Sequence, residues 1–254
     1  MLLGFDFSFY NRDEQWSRIS KDARFILHRA SEGVTGGDNK LIPRLRSFDP
    51  TKPFGIYHVV RPKQNKWEDE FKHFCDRIDE CRAIREVGIA LDLECSDYYV
   101  PYNSPESVKI WLCNLINALH VKYNRPVMCY MGDLYPDSWY EAFKQAGGVF
   151  WIARWQCQPK HITHDATIWQ ADSHYQGESL DVDYFLKDEE TLEQVFGFTN
   201  PYDKHRVTPE QIDQAAEIIA LATLDGKFGR QPERKELWNN LLQGKVNELV
   251  KEGR

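Results

Sequence analysis

Two carboxylates stand one residue apart at the end of an apolar run, Asp92 and Glu94 in "GIALDLECS", residues 88–96. If the run is a β-strand, its side chains alternate faces, so residues i and i+2 project to one side, about 7 Å apart at their Cα atoms. Two carboxyls in one apolar-walled site cannot both ionise freely, and at least one keeps its proton to higher pH. A protonated carboxyl beside an ionised one suits glycoside hydrolysis: one protonates the leaving oxygen and the other stabilises positive charge on the sugar. Other apolar runs also end in polar groups. "LLGFDFS" carries Asp6 and Ser8, "ILHRASEG" ends in Ser31 and Glu32, and "FGIYHVVRP" holds Tyr57 with Arg61 just beyond. A magnesium ion held by Asp6, Asp92 and Glu94 is the competing chemistry, but the chain has no GxxxxGK[ST] phosphate loop. Plainer roles stay open as well: Asp6 as a turn cap, and Glu32 as the partner of Arg29.

Positioning such a cluster takes several strands that end at one place. Strand-like runs recur as "LLGFDFS", "RFILHRAS", "FGIYHVV", "VGIALDLE", "PVMCYM", "VFWIARW" and "ATIWQAD". Helical patterns separate several of them. In "SPESVKIWLCNLINALHVKY" the residues Val108, Trp111, Leu112, Leu115, Ile116 and Leu119 keep the i, i+3, i+4, i+7 spacing of one buried face, with Ser104 as N-cap and Pro105 in the first turn. Nearly continuous apolar strands alternating with helices imply parallel strands covered on both faces. An α/β barrel of TIM-like (β/α) type is the simplest closure, with its site at the C-terminal ends of the strands. Only "QCQPKHITHD" separates "WIARW" from "ATIWQ", so the last helices are expected to be missing and the barrel irregular there.

The domain reading is a barrel over residues 1–198, a polar linker over 199–208 and a small helical module over 209–254. The linker carries Pro201 and Pro209 falls just past it; the module holds "TPEQIDQAAEIIALATL" and "ERKELWNNLLQGKVNELVKEG". So short a module cannot build a large core of its own.

Bulk properties narrow the partners. The chain of 254 residues is 42% hydrophobic and 28% charged, the composition of an ordered globular protein. Its eight Trp and twelve Tyr suit sugars or bases, but a net charge of -7 argues against nucleic acid. No apolar stretch approaches the ~20 residues that span a bilayer, so no membrane insertion is expected. The start "MLLGFDFSFYNRDEQW" lacks a basic segment before its apolar run, so synthesis in a cytoplasm without a signal peptide is expected. The six cysteines, Cys75, Cys81, Cys95, Cys113, Cys129 and Cys157, show no zinc-ligand spacing and read as reduced thiols in the packing.

Taken in order, "GFDFSFYN" with Trp16, "FILHRASEG", "FGIYHVVRP", "ALDLE", "VMCYMG", "FWIARW", "IWQAD" and "LDVDYF" resemble the lysozymes of glycoside hydrolase family 25. The likeness covers residues 4 to about 186. It implies an irregular, flattened TIM-like barrel that hydrolyses the β-1,4 bond from N-acetylmuramic acid to N-acetylglucosamine in peptidoglycan, with no metal or cofactor. It implies Glu94 as general acid, Asp92 as charge stabiliser, and Asp6 and Asp181 as carboxylates that tune the pair. The family motif V-D-L-N-x-F is written here "LDVDYF", so Asp183 stands where Asn is common, and register with Phe185 favours Asp181 as the fourth carboxylate. Direct attack by a carboxylate, attack by water and attack by the substrate's N-acetyl group all remain open, the last being favoured.

Under the same resemblance the aromatic residues Tyr57, Tyr98, Tyr99, Tyr130, Trp155 and Trp169 read as sugar platforms, whereas Trp111 and Trp139 read as core. Glu32 and Arg61 join the substrate-binding set, with Arg154 as a second candidate cation. His58 is expected to face the helical layer as a buried, hydrogen-bonded histidine. The tail "GKFGRQPERKELW…KVNELV" faintly resembles short wall-binding repeats of phage lysins. A phage endolysin released through a membrane pore is therefore the expected setting. A chitinase-like retaining glycosidase and an inactive peptidoglycan-binding barrel are the alternatives.

Overall fold

The computed structural model describes residues 1–94, 100–158, 162 and 164–198. The chain divides into two units, Met1–Asn200 and Pro201–Arg254. All described residues belong to the first; the linker and helical module lie outside them, as do Tyr98, Tyr99 and Cys95.

The elements follow in the order β1 (Leu2–Phe7), α1 (Asp13–Ile19), β2 (Phe25–Glu32), β3 (Gly36–Gly37), α2 (Leu41–Ser47), β4 (Phe54–Val59), α3 (Trp67–Arg82) and β5 (Gly88–Asp92). After them come α4 (Glu106–Tyr123), β6 (Val127–Gly132), α5 (Asp137–Gln145), β7 (Gly148–Ala153), β8 (Ile168–Tyr175), β9 (Glu178–Phe185) and α6 (Glu189–Phe196). The strands run β1-β9-β8-β7-β6-β5-β4-β2 around a ring that the β1–β2 pairing closes, and β3 hangs on β2. The chain is an α/β barrel.

Closure by parallel strands alone is the point on which the structure differs from the sequence reading. β9 is antiparallel to both β1 and β8. The cause is local: Gln176 and Gly177 both take positive φ, 49° and 79°, the two-residue hairpin geometry that glycine favours. The chain therefore reverses after β8 instead of crossing over through a helix. Among the described residues no helix lies between β7 and β8 either, as the short connection implied.

Strand alternation sorts the side chains into two shells. Outward residues such as Phe5, Ile26, Ile56, Ile89, Leu91, Cys129 and Ile152 are fully or almost fully buried against the helices. Inward residues Phe25, Leu27, Ala90, Met128, Ile168 and Phe185 fill the lower barrel, where Leu192, Val195 and Phe196 of α6 join them. Burying each such side chain is worth roughly 1.5–3 kcal/mol relative to leaving it exposed. Gly88 makes room for this plug, because a Cβ there would lie 3.0 Å from the Phe196 ring. α6 is fixed at its start by Asp188, whose side chain accepts from the Thr191 backbone N–H at 2.8 Å. With the lower barrel filled by apolar groups, polar inward residues are left to the upper end.

α4 buries Val108, Leu112, Leu115, Ile116 and Leu119 as its spacing implied, while Trp111 is only half-buried. Its N-cap is Pro105, so Ser104 precedes the helix and is not the cap. Cys75, Cys81 and Cys129 are buried free thiols, and Cys113 and Cys157 are partly exposed free thiols. Among the described residues no helix is long and apolar enough to cross a membrane.

Candidate active site

Each carboxylate at the upper end is placed by its strand. Asp6 closes the inward series of β1, Asp92 ends β5, Glu94 follows two residues on, and Asp181 and Asp183 lie on β9. Asp6 and Asp181 are direct cross-strand partners. Asp92 is 7% exposed and its Oδ1 is buried with no hydrogen-bond partner among the described residues. Glu94 stands exposed at the mouth.

The shared environment raises the proton affinity of the whole group. Burial lifts the carboxyls of Asp6, Asp92 and Asp183 well above the usual carboxylate range, and neighbouring negative charge adds to each. For Asp92 the main neighbour is Glu94, whose own carboxyl desolvation also raises. Asp181 is pushed up to about 6 by desolvation and by Glu94. Arg29, which ends the inward series Phe25, Leu27, Arg29 of β2, pulls both Asp92 and Glu94 back down. This guanidinium ion-pairs with Glu32 and lies 5.4 Å over the Phe9 ring. The sequence reading treated Arg29 only as a neighbour of Glu32. Its inward position follows from the same alternation that singled out Asp92.

A cavity of about 320 Å³ opens beside this group, lined by Leu93, Glu94, Tyr102, Tyr130, Gly132, Ala153 and Trp155. Tyr130 and Trp155 are the two aromatic residues singled out in the sequence that line it, and Trp155 is 54% exposed. Tyr102 went unnoticed in the sequence because it stands in a loop. Gly132 makes way for it, since a Cβ there would meet its hydroxyl at 2.3 Å.

Gln170 is the other residue that sequence reasoning passed over. It is 3% exposed, and its Nε2 donates to Asp6 Oδ2 at 2.9 Å. Its Oε1 accepts from Tyr130 Oη at 2.9 Å and from Trp155 Nε1 at 3.0 Å. One amide thus ties the aromatic wall to the inner carboxylates. The adjacent Trp169 faces the other way: it is buried against Tyr184 and donates to the Arg154 carbonyl at 2.8 Å. As a sugar platform it is a misassignment, because the two residues alternate faces and Gln170 takes the inner one.

The remaining candidates separate. Tyr57 faces inward but is 7% exposed and meets Trp151 edge-on at 6.0 Å, leaving little ring face for a sugar. Glu32 and Arg61 ion-pair with each other and line a second cleft with Gly33, Thr35 and Asn65, not the cavity beside Glu94. Arg154 pairs with Asp133 at 3.0 Å. His58 is fully buried on the outer face between Ser31 Oγ at 2.8 Å and Glu70 Oε2 at 3.1 Å. Burial lowers its pKa, so the ring stays neutral. This Ser–His–Glu chain is enclosed and works as a brace, since Glu70 also accepts from the Arg61 backbone N–H and from Asn65. Among the described residues no group of three His, Cys, Asp or Glu side chains is arranged to hold a metal ion.

The model of the glycosyl hydrolases family 25 matches residues 5–180. Among solved structures, a family GH25 lysozyme from Aspergillus fumigatus aligns with a TM-score of 0.59 at 23% identity, over 76% of this chain and 98% of that one. A family 25 glycosyl hydrolase from Bacillus anthracis aligns at 0.59 and 22%, over 76% and 92%. The catalytic domain of endolysin ply40, from bacteriophage P40 of Listeria monocytogenes, aligns at 0.57 and 19%, over 77% and 97%. At these identities the likeness is one of fold. No curated protein matches the chain by sequence.

Proposed function

This chain belongs to the glycosyl hydrolases family 25 and is a glycoside hydrolase, and from that premise we propose that it is a muramidase cleaving the N-acetylmuramic acid β-1,4 N-acetylglucosamine bond of peptidoglycan. One observation carries the reading. Asp92, buried with an unpartnered oxygen, stands two residues before Glu94, which lines an aromatic-walled cavity.

In this mechanism Glu94 is the general acid, and desolvation keeps its carboxyl protonated above the ordinary range. Asp92 and Glu94 titrate as one unit. In the free protein burial bears hardest on Asp92. An acetamido N–H donating to Asp92 would favour the anion there and leave the proton on Glu94. Glu94 then protonates the glycosidic oxygen as the C1–O bond breaks. The acetamido carbonyl oxygen of the same sugar closes on C1, and Asp92 offsets the positive charge on the resulting oxazolinium ring. Water adds to C1, gives its proton to the Glu94 carboxylate, and the ring opens with configuration retained. Asp6 and Asp181 hold the charge balance of the pair, and Tyr130 and Trp155 stack the sugars.

The proposed setting is a phage endolysin, made in the host cytoplasm and reaching the wall through a membrane pore. Residues 209–254 would add wall affinity. Deleting residues 203–254 should weaken binding to isolated cell walls, and undiminished binding would exclude that role. For the catalytic proposal, the wild-type chain should clear a turbid suspension of purified peptidoglycan and Glu94→Gln should not. Clearing by both would remove Glu94 from the chemistry.

A further inference from the structure

Asp183 is a buried acid that no step above uses. It is fully buried, and Trp151 Nε1 donates to its Oδ1 at 2.7 Å. Its Oδ2 is also buried and receives no donor among the described residues. The β1–β9 register explains what that oxygen faces. Asp6 opposes Asp181 and Gly4 opposes Asp183, so Asp183 is the diagonal neighbour of Asp6 on the inner face. Across that pair each acid bears on the other, Asp183 adding negative charge at Asp6 and Asp6 neighbouring the Asp183 carboxyl.

Each of the two acids therefore already has one fixed N–H donor. Gln170 serves Asp6 and Trp151 serves Asp183. An ionised carboxylate can accept but never donate, so neither acid can give the other a hydrogen while both are charged. Two buried anions on neighbouring strand positions would repel in a poorly screened interior, whereas one proton allows a charge-assisted hydrogen bond between them. We propose that Asp6 and Asp183 share one proton in the working enzyme, and that Asp183 is a positioning residue holding Asp6 at the base of the catalytic group.

The surroundings bear on this pair from every side. Asp181 on β9 and Asp92 on β5 add negative charge to Asp6. Tyr57 on β4 and Tyr130 on β6 have hydroxyls that burial keeps neutral. Trp151 on β7 and Gln170 on β8 supply the N–H donors, while Arg29 on β2 sets its charge against Asp92 and Glu94. His174 acts on Asp181. Among the described residues no group hands Asp183 Oδ2 a hydrogen, which leaves the shared proton to do so.

Asparagine at position 183 offers a permanent N–H in the same volume, and leucine offers none. The test compares the full-length wild type with Asp183→Asn and Asp183→Leu. An infrared difference spectrum between wild type and Asp183→Asn at neutral pH should show one protonated-carboxyl C=O stretch, sensitive to deuterium exchange, that the asparagine variant lacks, apart from the Glu94 band common to both. On purified peptidoglycan Asp183→Asn should keep kcat within a few-fold of wild type, while Asp183→Leu should lose about tenfold or more in kcat with KM little changed. The kinetic arm rests on the muramidase reading; the infrared arm uses no substrate, so the two fail separately. The proposal is overturned if the wild type shows no such band, if Asp183→Asn retains the band unchanged, or if Asp183→Asn loses as much kcat as Asp183→Leu. Should the leucine variant fail to fold, the band and the asparagine variant decide alone.

Discussion

Gln170 Nε2 donates to Asp6 Oδ2 at 2.9 Å, joining residues 164 positions apart in the chain. Because Tyr130 and Trp155 both donate to Gln170 Oε1, the amide cannot flip without losing three hydrogen bonds. Gln170→Leu removes the link at nearly constant volume. A net loss of about 1–3 kcal/mol is expected for buried groups left unpaired, read as a fall of roughly tenfold to a hundredfold in kcat/KM on peptidoglycan. An unchanged kcat/KM would show that the amide only fills space.

Removing the proposed proton donor should be more severe. Glu94→Gln is expected to lower kcat by about 10²–10⁴-fold while leaving binding to an insoluble peptidoglycan pellet intact. Asp92→Asn should likewise lose most activity and keep binding. Full activity in the Asp92 variant would remove that residue from the mechanism.

Arg29→Gln tests the electrostatics of the site. The guanidinium lowers the proton affinity of both Asp92 and Glu94, so its removal raises both. The acidic limb of the pH–rate profile, where the pair gains a second proton, should move to higher pH. The alkaline limb, where Glu94 loses its proton, should move the same way. A profile that narrows or shifts to lower pH contradicts this assignment.

Stability should follow the same carboxyls. Asp6, Asp92, Asp181 and Asp183 all have folded-state proton affinities above the ordinary value. An acid raised in this way holds its proton more tightly folded than unfolded, so it favours the fold at low pH and that contribution is lost as pH rises. Thermal unfolding at a series of pH values should show these groups eroding stability from about pH 4, the unfolded carboxylate range, up through the Asp181 value of about 6. Replacing Asp181 by Asn should flatten the part of that slope up to and around pH 6. An unaltered slope would mean the carboxyl is not perturbed.

Much of this was legible in the sequence, and the rest was hidden for definite reasons. The Asp92–Glu94 spacing, the outward His58 and the short connection between β7 and β8 follow from alternation and segment length. β9 was not among the strand-like runs read from the sequence, although "YQGE" at 175–178 carries a hairpin turn signal for the reversal that precedes it. In "IWQAD" the larger residue drew attention, yet a one-residue difference in face sends Trp169 to the outer packing and Gln170 to the site. Arg29 was missed because an inward charge on an apolar strand makes sense only once the acids it faces are known. The Arg29 partner of Glu32 was named from their closeness in sequence, whereas the Glu32–Arg61 pair joins the end of β2 to the segment after β4, which strand patterns do not encode.

The identity of the cut bond is the central claim, and the new reducing end reports it directly. Purified peptidoglycan digested by the full-length chain would be reduced with borohydride and its sugars identified. Reduced N-acetylmuramic acid is the expected product, absent from a parallel digest with Glu94→Gln. Reduced N-acetylglucosamine in its place would contradict a muramidase.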